Sequence, residues 1–278
     1  MSRDLLPIGD IREIKSRGLT EKTCQRWRYS IGPFTDRNGK THTVQIGTFF
    51  EDDGRASAQQ LRFKDKSKGF PCLGENIAEK LYGKHLCRSG GRRIIITEGY
   101  IDAMSVDQVL QYKWQVVSLP QGAAGAYKAL AANLEWLNTF EQVVLCFDND
   151  EPGRAAVDSV TSLFPPGKLA VVSLPLKDAN EMLVAGRVEE LVNALWGAKE
   201  YRPDGIKTVA EIREAVLAEI ATDLSWFLPG LEEATYGRRY GECVALGAGT
   251  GVGKTTLLTQ QIAHDIQTGH RVGVFAFE

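Results

Sequence analysis

The strongest constraint on the fold is an alternation of short apolar runs and helical stretches between residues 92 and 197. The apolar runs, each of strand length, are Ile94–Thr97, Gln115–Leu119, Gln142–Phe147 and Leu169–Leu174. The helical stretches are Ile101–Leu110, Ala124–Leu137, Arg154–Leu163 and a last one that carries Val188, Leu191, Val192 and Leu195. Strands that alternate with helices of this length form parallel sheets with right-handed crossovers. We therefore predict an α/β domain with a parallel sheet over residues 92–197.

Acidic residues follow three of these predicted strands. Glu98 follows the first run, Asp148 and Asp150 follow the third, and Asp178 lies in a turn after the fourth. Ligands of open α/β sheets bind at the carboxyl ends of the strands, so Glu98, Asp148 and Asp150 are expected to converge on one site, with Asp178 as a further acid nearby. Such an oxygen-rich site suits Mg²⁺, which binds a few carboxylates and retains water or phosphate as its other ligands.

Some of these acids have an alternative role. Residues i and i+2 of an extended chain point to the same side, so Asp148 and Asp150 can face one metal ion if the backbone stays extended. The alternative is that one of them only caps the helix at Gly153, which would account for one carboxylate and not for the others. Asp102, four residues after Glu98, either faces the same site or only begins its helix.

The segment before this domain is basic. Residues 1–93 contain 19 Lys and Arg against 11 Asp and Glu, a balance of +8, whereas residues 94–278 contain 14 against 24, a balance of −10. This asymmetry favours a polyanion partner at the amino-terminal part and metal or nucleotide chemistry in the remainder. The alternative is an ordinary variation of surface charge between domains.

The basic segment is predicted to contain a helical pattern over residues 1–32, with a start at Thr20, and then a hairpin. Its strands, Thr43–Phe50 and Gln59–Phe63, flank the turn Glu51–Gly54, and Asp-Gly is typical of such turns. Cations then alternate with aromatic residues; the cations are Arg62, Lys64, Lys66 and Lys68. Such a segment can contact phosphates while its rings stack on bases, or it is a solvated edge strand that lysine protects from aggregation.

The carboxy-terminal part carries a phosphate-binding loop. Its residues are Ala248, Gly249, Thr250, Gly251, Val252, Gly253, Lys254, Thr255 and Thr256. They match the pattern G-x-x-x-x-G-K-[ST], except that Ala248 takes the first glycine position. A strand is predicted before the loop at Cys243–Leu246, and a helix that Gly269 ends is predicted after it. The backbone N–H groups of such a loop bind phosphates, with Lys254 on the β/γ-phosphates and Thr255 on Mg²⁺; a flexible glycine linker is the alternative.

Four regions follow from these patterns: residues 1–91, 92–197, a linker at 198–227, and 228–278. The linker contains an isolated amphipathic helix predicted over Thr208–Ile220, and such a helix packs on something outside its own domain. The last region is predicted to continue with a strand at Val272–Phe277.

Several classes of protein are excluded. The five cysteines form no C-x-x-C pair and the four histidines are dispersed, so a zinc site is not expected. Reduced thiols in a cytoplasmic protein are expected instead. The longest apolar runs have only strand length, and the first ten residues resemble neither a signal nor a transit peptide.

Two motifs resemble the TOPRIM domain of primases and type II topoisomerases. They are Glu98-Gly99-Tyr100-Ile101-Asp102 and Asp148-Asn149-Asp150-Glu151-Pro152-Gly153-Arg154. The segments Arg17–Cys24, Leu81–Leu86 and Lys177–Glu181 and the phosphate loop occur with them in a fixed order. Almost the whole chain is therefore similar to the bifunctional DNA primase-helicases of T-odd bacteriophages, whose mitochondrial relative is Twinkle.

This resemblance implies roles for the acidic and basic residues. Glu98 would be the primase carboxylate that acts with the metal, Asp148 and Asp150 would hold catalytic Mg²⁺ or Mn²⁺, and Asp178 would support the site. The lysines at 64, 66 and 68 would hold the template and the incoming nucleoside triphosphates. Lys84 and His85 would belong to a supporting segment.

The resemblance also implies a helicase part. Lys254 and Thr255 would bind the hydrolysed nucleotide, ATP or dTTP, and Glu278 would activate water. The helix Thr208–Ile220 would dock on a neighbouring subunit of a hexameric ring. Members that prime at defined sites carry an amino-terminal zinc module of paired cysteines, and no such pair precedes Glu98 here. Because the chain stops at Glu278, we expect a fragment of a longer protein or a truncated gene product. We expect this 278-residue chain to be a monomer and to hydrolyse ATP poorly.

The implied function is synthesis of RNA primers on a DNA template, coupled in the full-length protein to 5′–3′ unwinding. Single-stranded and forked DNA and a replicative DNA polymerase would be its partners, in the cytoplasm of a phage-infected bacterium. Two alternatives stay open. In the first, the TOPRIM domain serves only as a DNA-binding, architectural part of a Twinkle-like helicase. In the second, it cleaves DNA strands, which would require a tyrosine nucleophile in a separate domain.

Overall fold

The computed structural model describes residues 4–65, 67, 69–201, 212–213, 216–218 and 224–275. The chain divides into two compact units, Met1–Asp204 and Gly205–Glu278. Three residues with predicted roles, Lys66, Lys68 and Glu278, lie outside the described residues, as does most of the predicted linker helix Thr208–Ile220. No helix in the described ranges has the length and apolarity that crossing a bilayer requires.

The amino-terminal part of the first unit is an antiparallel sheet with the strand order β1-β2-β3-β4. The strands are β1 (Ser30–Thr35), β2 (Thr41–Phe50), β3 (Ala56–Phe63) and β4 (Cys72–Gly74). The predicted hairpin is β2 and β3, with a left-handed Gly54 in its turn. The strand β1 was not predicted; it is an edge strand, the place where a residue such as Pro33 is tolerated.

The helical pattern predicted over residues 1–32 is realised only in part. A 3₁₀ turn covers Lys15–Arg17, and the helix α1 covers Glu21–Trp27. Thr20 is its N-cap, as expected, because its hydroxyl accepts a hydrogen bond from the Thr23 N–H. The left-handed backbone of Arg28 ends this helix, and β1 begins two residues later.

The second part of this unit is the predicted α/β domain, with the strand order β6-β5-β7-β8-β9. The strands are β5 (Gly91–Thr97), β6 (Gln115–Ser118), β7 (Phe140–Cys146), β8 (Leu169–Val171) and β9 (Lys199–Glu200). The first four pair in parallel, which confirms the predicted fold class. Only β9, an antiparallel edge strand that sequence reasoning missed, departs from this arrangement.

The helices of this domain cover both faces of the sheet. They are α2 (Tyr100–Val109), α3 (Ala126–Ala132), α4 (Leu134–Asn138), α5 (Glu151–Val160), α6 (Ala179–Val184) and α7 (Val188–Trp196). The prediction of a single helix over Ala124–Leu137 is wrong, because Asn133 interrupts the helix between α3 and α4. The buried Asn133 amide donates hydrogen bonds to the Ala129 and Glu79 carbonyls, and such side-chain bonds compete with helix continuation.

The two parts of the first unit share one core. The Trp27 and Tyr82 rings lie 5.3 Å apart, and Tyr82 stacks on Tyr100 at 4.1 Å. A Cβ on Gly47 would lie 3.0 Å from the Tyr100 ring, so β2 approaches α2 as closely as glycine allows. The buried Asp107 accepts a hydrogen bond from the Trp27 indole at 2.7 Å. This packing places the antiparallel sheet β1–β4 next to the carboxyl end of the parallel sheet. The antiparallel sheet and the residues that flank its strands are called the basic sheet below.

The second unit contains the helices Pro229–Thr235 and Lys254–Gln267. The strand predicted at Cys243–Leu246 is wrong, and residues 272–275 of the predicted Val272–Phe277 are not a strand either. Their apolar side chains are exposed, including Phe275 at 86%. The physical reason is that an isolated pair of strands is marginally stable without further strands or a helix to cover it.

Candidate active site

The carboxyl ends of β5 and β7 border a cleft of about 660 Å³. Its acidic residues are Glu98, Asp102, Asp148, Asp178 and Glu181, and its cationic residues are Arg17, Arg62 and Lys177. Because β5 and β7 are adjacent parallel strands, with Thr97 beside Cys146, the acids that follow them emerge side by side. The structure thus brings Glu98, Asp148 and Asp178 to one cleft, whereas Asp150 is not part of its wall.

Glu98 is anchored through one carboxylate oxygen. Its Oε1 accepts a hydrogen bond from the Ala123 N–H at 3.2 Å. Gly122, with φ of 66°, allows this approach, since a Cβ there would lie 3.3 Å from Oε1. The other oxygen, Oε2, is buried and has no hydrogen-bond partner among the described residues. A buried acceptor without a partner is costly, so Oε2 is the atom that a ligand in this cleft would satisfy.

Asp148 and Asp150 have different surroundings. Asp150 is the N-cap of α5, and its Oδ1 accepts a hydrogen bond from the Gly153 N–H at 3.0 Å. This bond, with a smaller effect of Lys177, lowers the pKa of Asp150. The capping alternative therefore applies to Asp150. Asp148 lines the cleft, where burial and then the negative charge of Glu98 raise the pKa of Asp148 to about 6.

Lys177 bridges these two carboxylates. Its Nζ lies 3.2 Å from Asp150 Oδ2 and 3.7 Å from Asp148 Oδ2. The hydrogen bond to Asp150 raises the pKa of Lys177. Its carbonyl accepts a hydrogen bond from the Asn149 N–H at 2.7 Å, which holds the turn after β8 against the turn after β7. Sequence reasoning assigned no role to Lys177, although its position in the acidic turn was a usable signal.

Asp102 lies in the wall of the cleft beside Asp178, so it faces the site as well as beginning its helix. Its Oδ1 accepts a hydrogen bond from the Asn180 N–H at 3.0 Å. Burial, and then the negative charge of Asp178, raise the pKa of Asp102. Asp178 is the N-cap of α6 and accepts a hydrogen bond from the Glu181 N–H at 2.7 Å.

Asn180 joins this acidic site to the amino-terminal part. Its side-chain Nδ2 donates to the Arg17 carbonyl at 2.8 Å and to Ser105 Oγ at 3.0 Å. Arg17 in turn donates from Nη1 to Asn180 Oδ1 at 3.2 Å. Sequence reasoning gave neither residue a role, although both lie in the segments that carry the resemblance. Their pairing spans 163 positions, which no local pattern reveals.

The basic sheet contributes Tyr29, Gln60, Arg62 and Phe70 to the same cleft. The Arg62 guanidinium lies over the Phe70 ring at 5.8 Å from its centre, and this ring is half exposed. Lys64 is exposed just after β3. Within β3 the residues Ala58–Gln60 pair with β4, so only the end of this strand is an edge.

Lys84 and His85 do not reach the acidic cleft. They line a second cleft of about 620 Å³, which shares no lining residue with the first. Lys84 donates from Nζ to Asn133 Oδ1 at 3.0 Å and lies over the Trp136 ring. Burial, and then the charge of Arg28, lower the pKa of His85 to about 4. The structure thus separates these two residues from Glu98 and Asp148.

Comparison with known proteins identifies the two parts of the first unit. Residues 95–183 match a Toprim-like family, and residues 9–74 match the family described as bacteriophage T7 DNA helicase/primase, N-terminal a+b fold. The crystal structure of the primase fragment of the bacteriophage T7 primase-helicase protein matches with a TM-score of 0.64 and 35% identity, over 70% of this chain and 80% of the fragment. The chain belongs to the T7-type primase-helicase family.

Two further relatives support this membership, and the resemblance inferred from the motifs is confirmed. A structure of phage T7 lagging-strand DNA polymerase, interacting with primase domains of two gp4 subunits bound to an RNA/DNA hybrid and dTTP, matches with a TM-score of 0.65 and 34% identity. That match covers 72% of this chain and 100% of the other. A DNA helicase/primase of Enterobacteria phage T3 is 36% identical over 288 residues. This chain spans 50% of the length of the phage T3 protein.

In this member of the primase-helicase family, the cleft contains ligand atoms suited to a hard divalent cation. Its acids supply only carboxylate oxygens, the ligands that Mg²⁺ prefers. The unpartnered Glu98 Oε2 and the raised pKa of Asp148 both indicate negative charge that the described residues do not fully compensate. Across the described ranges, however, no three His, Cys, Asp or Glu side chains come close enough to enclose an ion by themselves. The residues fit a metal that also binds water or phosphate.

The phosphate loop of the second unit is exposed along almost its whole length, including Val252 at 72%. Gly253 has a φ of 97° and precedes the helix Lys254–Gln267. The Lys254 ammonium donates to the Ala248 and Gly249 carbonyls at 2.8 Å each, so it lies over its own loop. The predicted order of loop and helix is present. The predicted strand before them is not.

Proposed function

We propose that the unit Met1–Asp204 synthesises RNA primers on a DNA template, with ribonucleoside triphosphates as substrates and Mg²⁺ or Mn²⁺ in the acidic cleft. The observation that carries this proposal is that two parts of this unit together form the wall of one cleft. Glu98 and Asp148 come from the parallel sheet, and Arg62 and Phe70 come from the basic sheet. Carboxylates suit the metal, whereas a cation and an exposed ring suit the phosphates and bases of nucleic acid.

Each side chain has a task in this mechanism. Glu98 Oε2 and the Asp148 carboxylate would hold the metal, which, when bound, lowers the charge on the triphosphate and helps to activate the primer 3′-hydroxyl. Asp178 would add negative charge beside Asp148 and strengthen the attraction for a divalent cation. Arg62 would pair with phosphate oxygens, and the Phe70 ring would stack on a base.

The test is dinucleotide synthesis by Glu98→Gln and Asp148→Asn, with Mg²⁺ and with Mn²⁺. Both variants keep the shape of the side chain and lose its charge, so we expect synthesis to fall by at least about 100-fold while binding of single-stranded DNA changes less than about threefold. Glu151→Gln is the matched control, because Glu151 is an exposed acid on α5 outside the cleft. Undiminished synthesis in either cleft variant would refute the assignment.

The same assay separates the alternatives. An unmodified protein that binds DNA but makes no dinucleotide with either metal would favour an architectural role for the TOPRIM fold. Nicking of supercoiled DNA that depends on Glu98 would favour strand cleavage instead. Primer synthesis that depends on Glu98 and Asp148 supports the proposal over both.

For the longer protein we propose coupling to a ring helicase. The support is the phosphate loop Ala248–Thr256 and the phage T3 relative, which is a DNA helicase/primase of twice this length. Lys254 and Thr255 would bind ATP or dTTP together with Mg²⁺. A hexameric ring, forked DNA as substrate and a replicative polymerase as partner belong to the same proposal. The polymerase is suggested by the phage T7 complex, whose primase domains interact with one.

A further inference from the structure

We propose that Lys177 is an internal counter-ion of the acidic cleft, which a divalent metal displaces and which then binds the triphosphate of the incoming nucleotide. The second half rests on the proposed function, because it takes a nucleoside triphosphate as the substrate. The first half concerns the cleft and the metal alone.

The contacts of Lys177 are those of a counter-ion. Its Nζ lies within 3.7 Å of Oδ2 of both Asp148 and Asp150. The cleft also holds Glu98, Asp178 and Glu181, so its carboxyl groups outnumber its three cations. The other two cations of the wall make their contacts elsewhere. Arg17 donates to Asn180, and Arg62 lies over the Phe70 ring.

The side chain of Lys177 is free to leave while its backbone stays in place. The Asn149 N–H donates to the Lys177 carbonyl at 2.7 Å, and the Lys177 N–H donates to Glu181 Oε2 at 3.3 Å. The side chain, in contrast, is 51% exposed, and its ammonium group makes the two ion pairs with Asp148 and Asp150. Moving the ammonium group therefore requires rotation about side-chain bonds and no change in either turn.

A metal and the ammonium group compete for the same oxygen. A cation bound to Asp148 Oδ2 would repel the Lys177 ammonium group, and the two positive charges would not share the carboxylate. The displaced ammonium group stays at the rim of the same cleft, because the turn that bears it is fixed. Lysine binds phosphate as a flexible point charge, so the triphosphate that arrives with the metal is the anion it would next contact.

The first experiment measures Mn²⁺ binding to the full 278-residue chain by electron paramagnetic resonance, without nucleotide. Lys177→Met removes the competing charge, so we expect the dissociation constant for Mn²⁺ to fall by about fivefold, the scale of an exposed ion pair. Lys177→Arg keeps the charge and is expected to stay close to the unmodified protein. Arg154→Met is the matched control, since Arg154 is a nearby exposed cation that donates a hydrogen bond to the Asn149 side-chain amide oxygen; its effect should stay below about twofold.

An unchanged or weaker Mn²⁺ affinity in Lys177→Met would overturn the counter-ion role, as would the absence of saturable binding in both proteins. The substitution must also lose its effect in an Asp148→Asn background, and persistence there would overturn the proposal. Lys177→Gln serves as a second neutral variant, and thermal unfolding monitored by circular dichroism confirms that each variant is folded.

The second experiment measures equilibrium binding of a ribonucleoside triphosphate with Mn²⁺ present, in a Lys254→Ala background that silences the phosphate loop. We expect Lys177→Met to weaken this binding by about fivefold and Lys177→Arg to change it less than twofold. Equal binding in all three would overturn the triphosphate role. If no primer is made under any condition but Mn²⁺ binding tightens in Lys177→Met, the proposed function fails while the counter-ion role stands.

Discussion

The charge of Asp148 is expected to destabilise the metal-free protein, so Asp148→Asn should stabilise it at neutral and alkaline pH. The folded state raises the pKa of Asp148 to about 6 through burial and the neighbouring charge of Glu98. An acid whose pKa is raised on folding contributes stability that is fully present below its unfolded pKa, near 4. That contribution is lost as the pH rises through about 6. Asn mimics the protonated acid at every pH.

The expected gain follows from the size of the pKa shift. A rise from 3.8 to about 6 is about two pKa units, which corresponds to about 3 kcal/mol. The Asp148 side chain is 20% exposed, and solvent screening lowers this figure. We therefore expect Asp148→Asn to raise the free energy of unfolding by about 1 to 3 kcal/mol at pH 8, and by nearly nothing at about pH 3.

The assay is urea unfolding in the presence of a chelator, followed by near-ultraviolet circular dichroism at a series of pH values. The difference between variant and unmodified protein should appear between about pH 4 and pH 7. Glu151→Gln, which neutralises an exposed acid at the start of α5, should change stability by less than about 0.5 kcal/mol at any pH. A destabilised Asp148→Asn protein at pH 8, or a difference that does not vary with pH, would refute the electrostatic reasoning.

Three further outcomes are expected. Mg²⁺ should stabilise the unmodified protein at pH 8 and stabilise Asp148→Asn less, because the metal offsets the same excess charge; equal midpoint shifts in urea would contradict this. Asn180→Ala should cost about 2 to 4 kcal/mol, since it removes a buried hydrogen bond to Ser105 and two partly buried ones to Arg17, whereas a loss below 0.5 kcal/mol would show that these bonds contribute little. Gly47→Ala should cost about 1 to 3 kcal/mol, because its Cβ would lie 3.0 Å from the Tyr100 ring, and an unchanged thermal midpoint would mean that the ring yields freely.

The regular elements of the α/β domain were predictable because their signals are local. Each parallel strand is a short apolar run, and each acid of the cleft stands directly after a strand or at the start of a helix. The N-cap at Thr20 and the turn at Gly54 are also local features. The edge strand β1 and the break at Asn133 were missed. In β1 the proline and glycine hide the pattern, and at Asn133 hydrogen bonds to the Glu79 and Ala129 carbonyls decide the outcome.

The roles within the site depended on distances that the sequence does not contain. Asp148 and Asp150 share one motif, yet Asp150 caps α5 and Asp148 lines the cleft. Lys84 and His85 also belong to a motif of the resemblance, but they line a separate cleft. The turn after β7 gives the two acids different directions, whereas contacts with Asn133 and Trp136 hold Lys84 in the other cleft.

The sequence by itself determined the α/β class, the order of the motifs and the membership in the primase-helicase family, because apolar periodicity and motif spacing are properties of the linear sequence. Only the tertiary structure decided which carboxylates share a cleft, that Lys177 lies between two of them, and that Arg17 is held by Asn180 across 163 positions. The physical reason is that charge interactions act through space. They depend on distances of a few ångströms between residues that the chain brings together only after the sheet has formed.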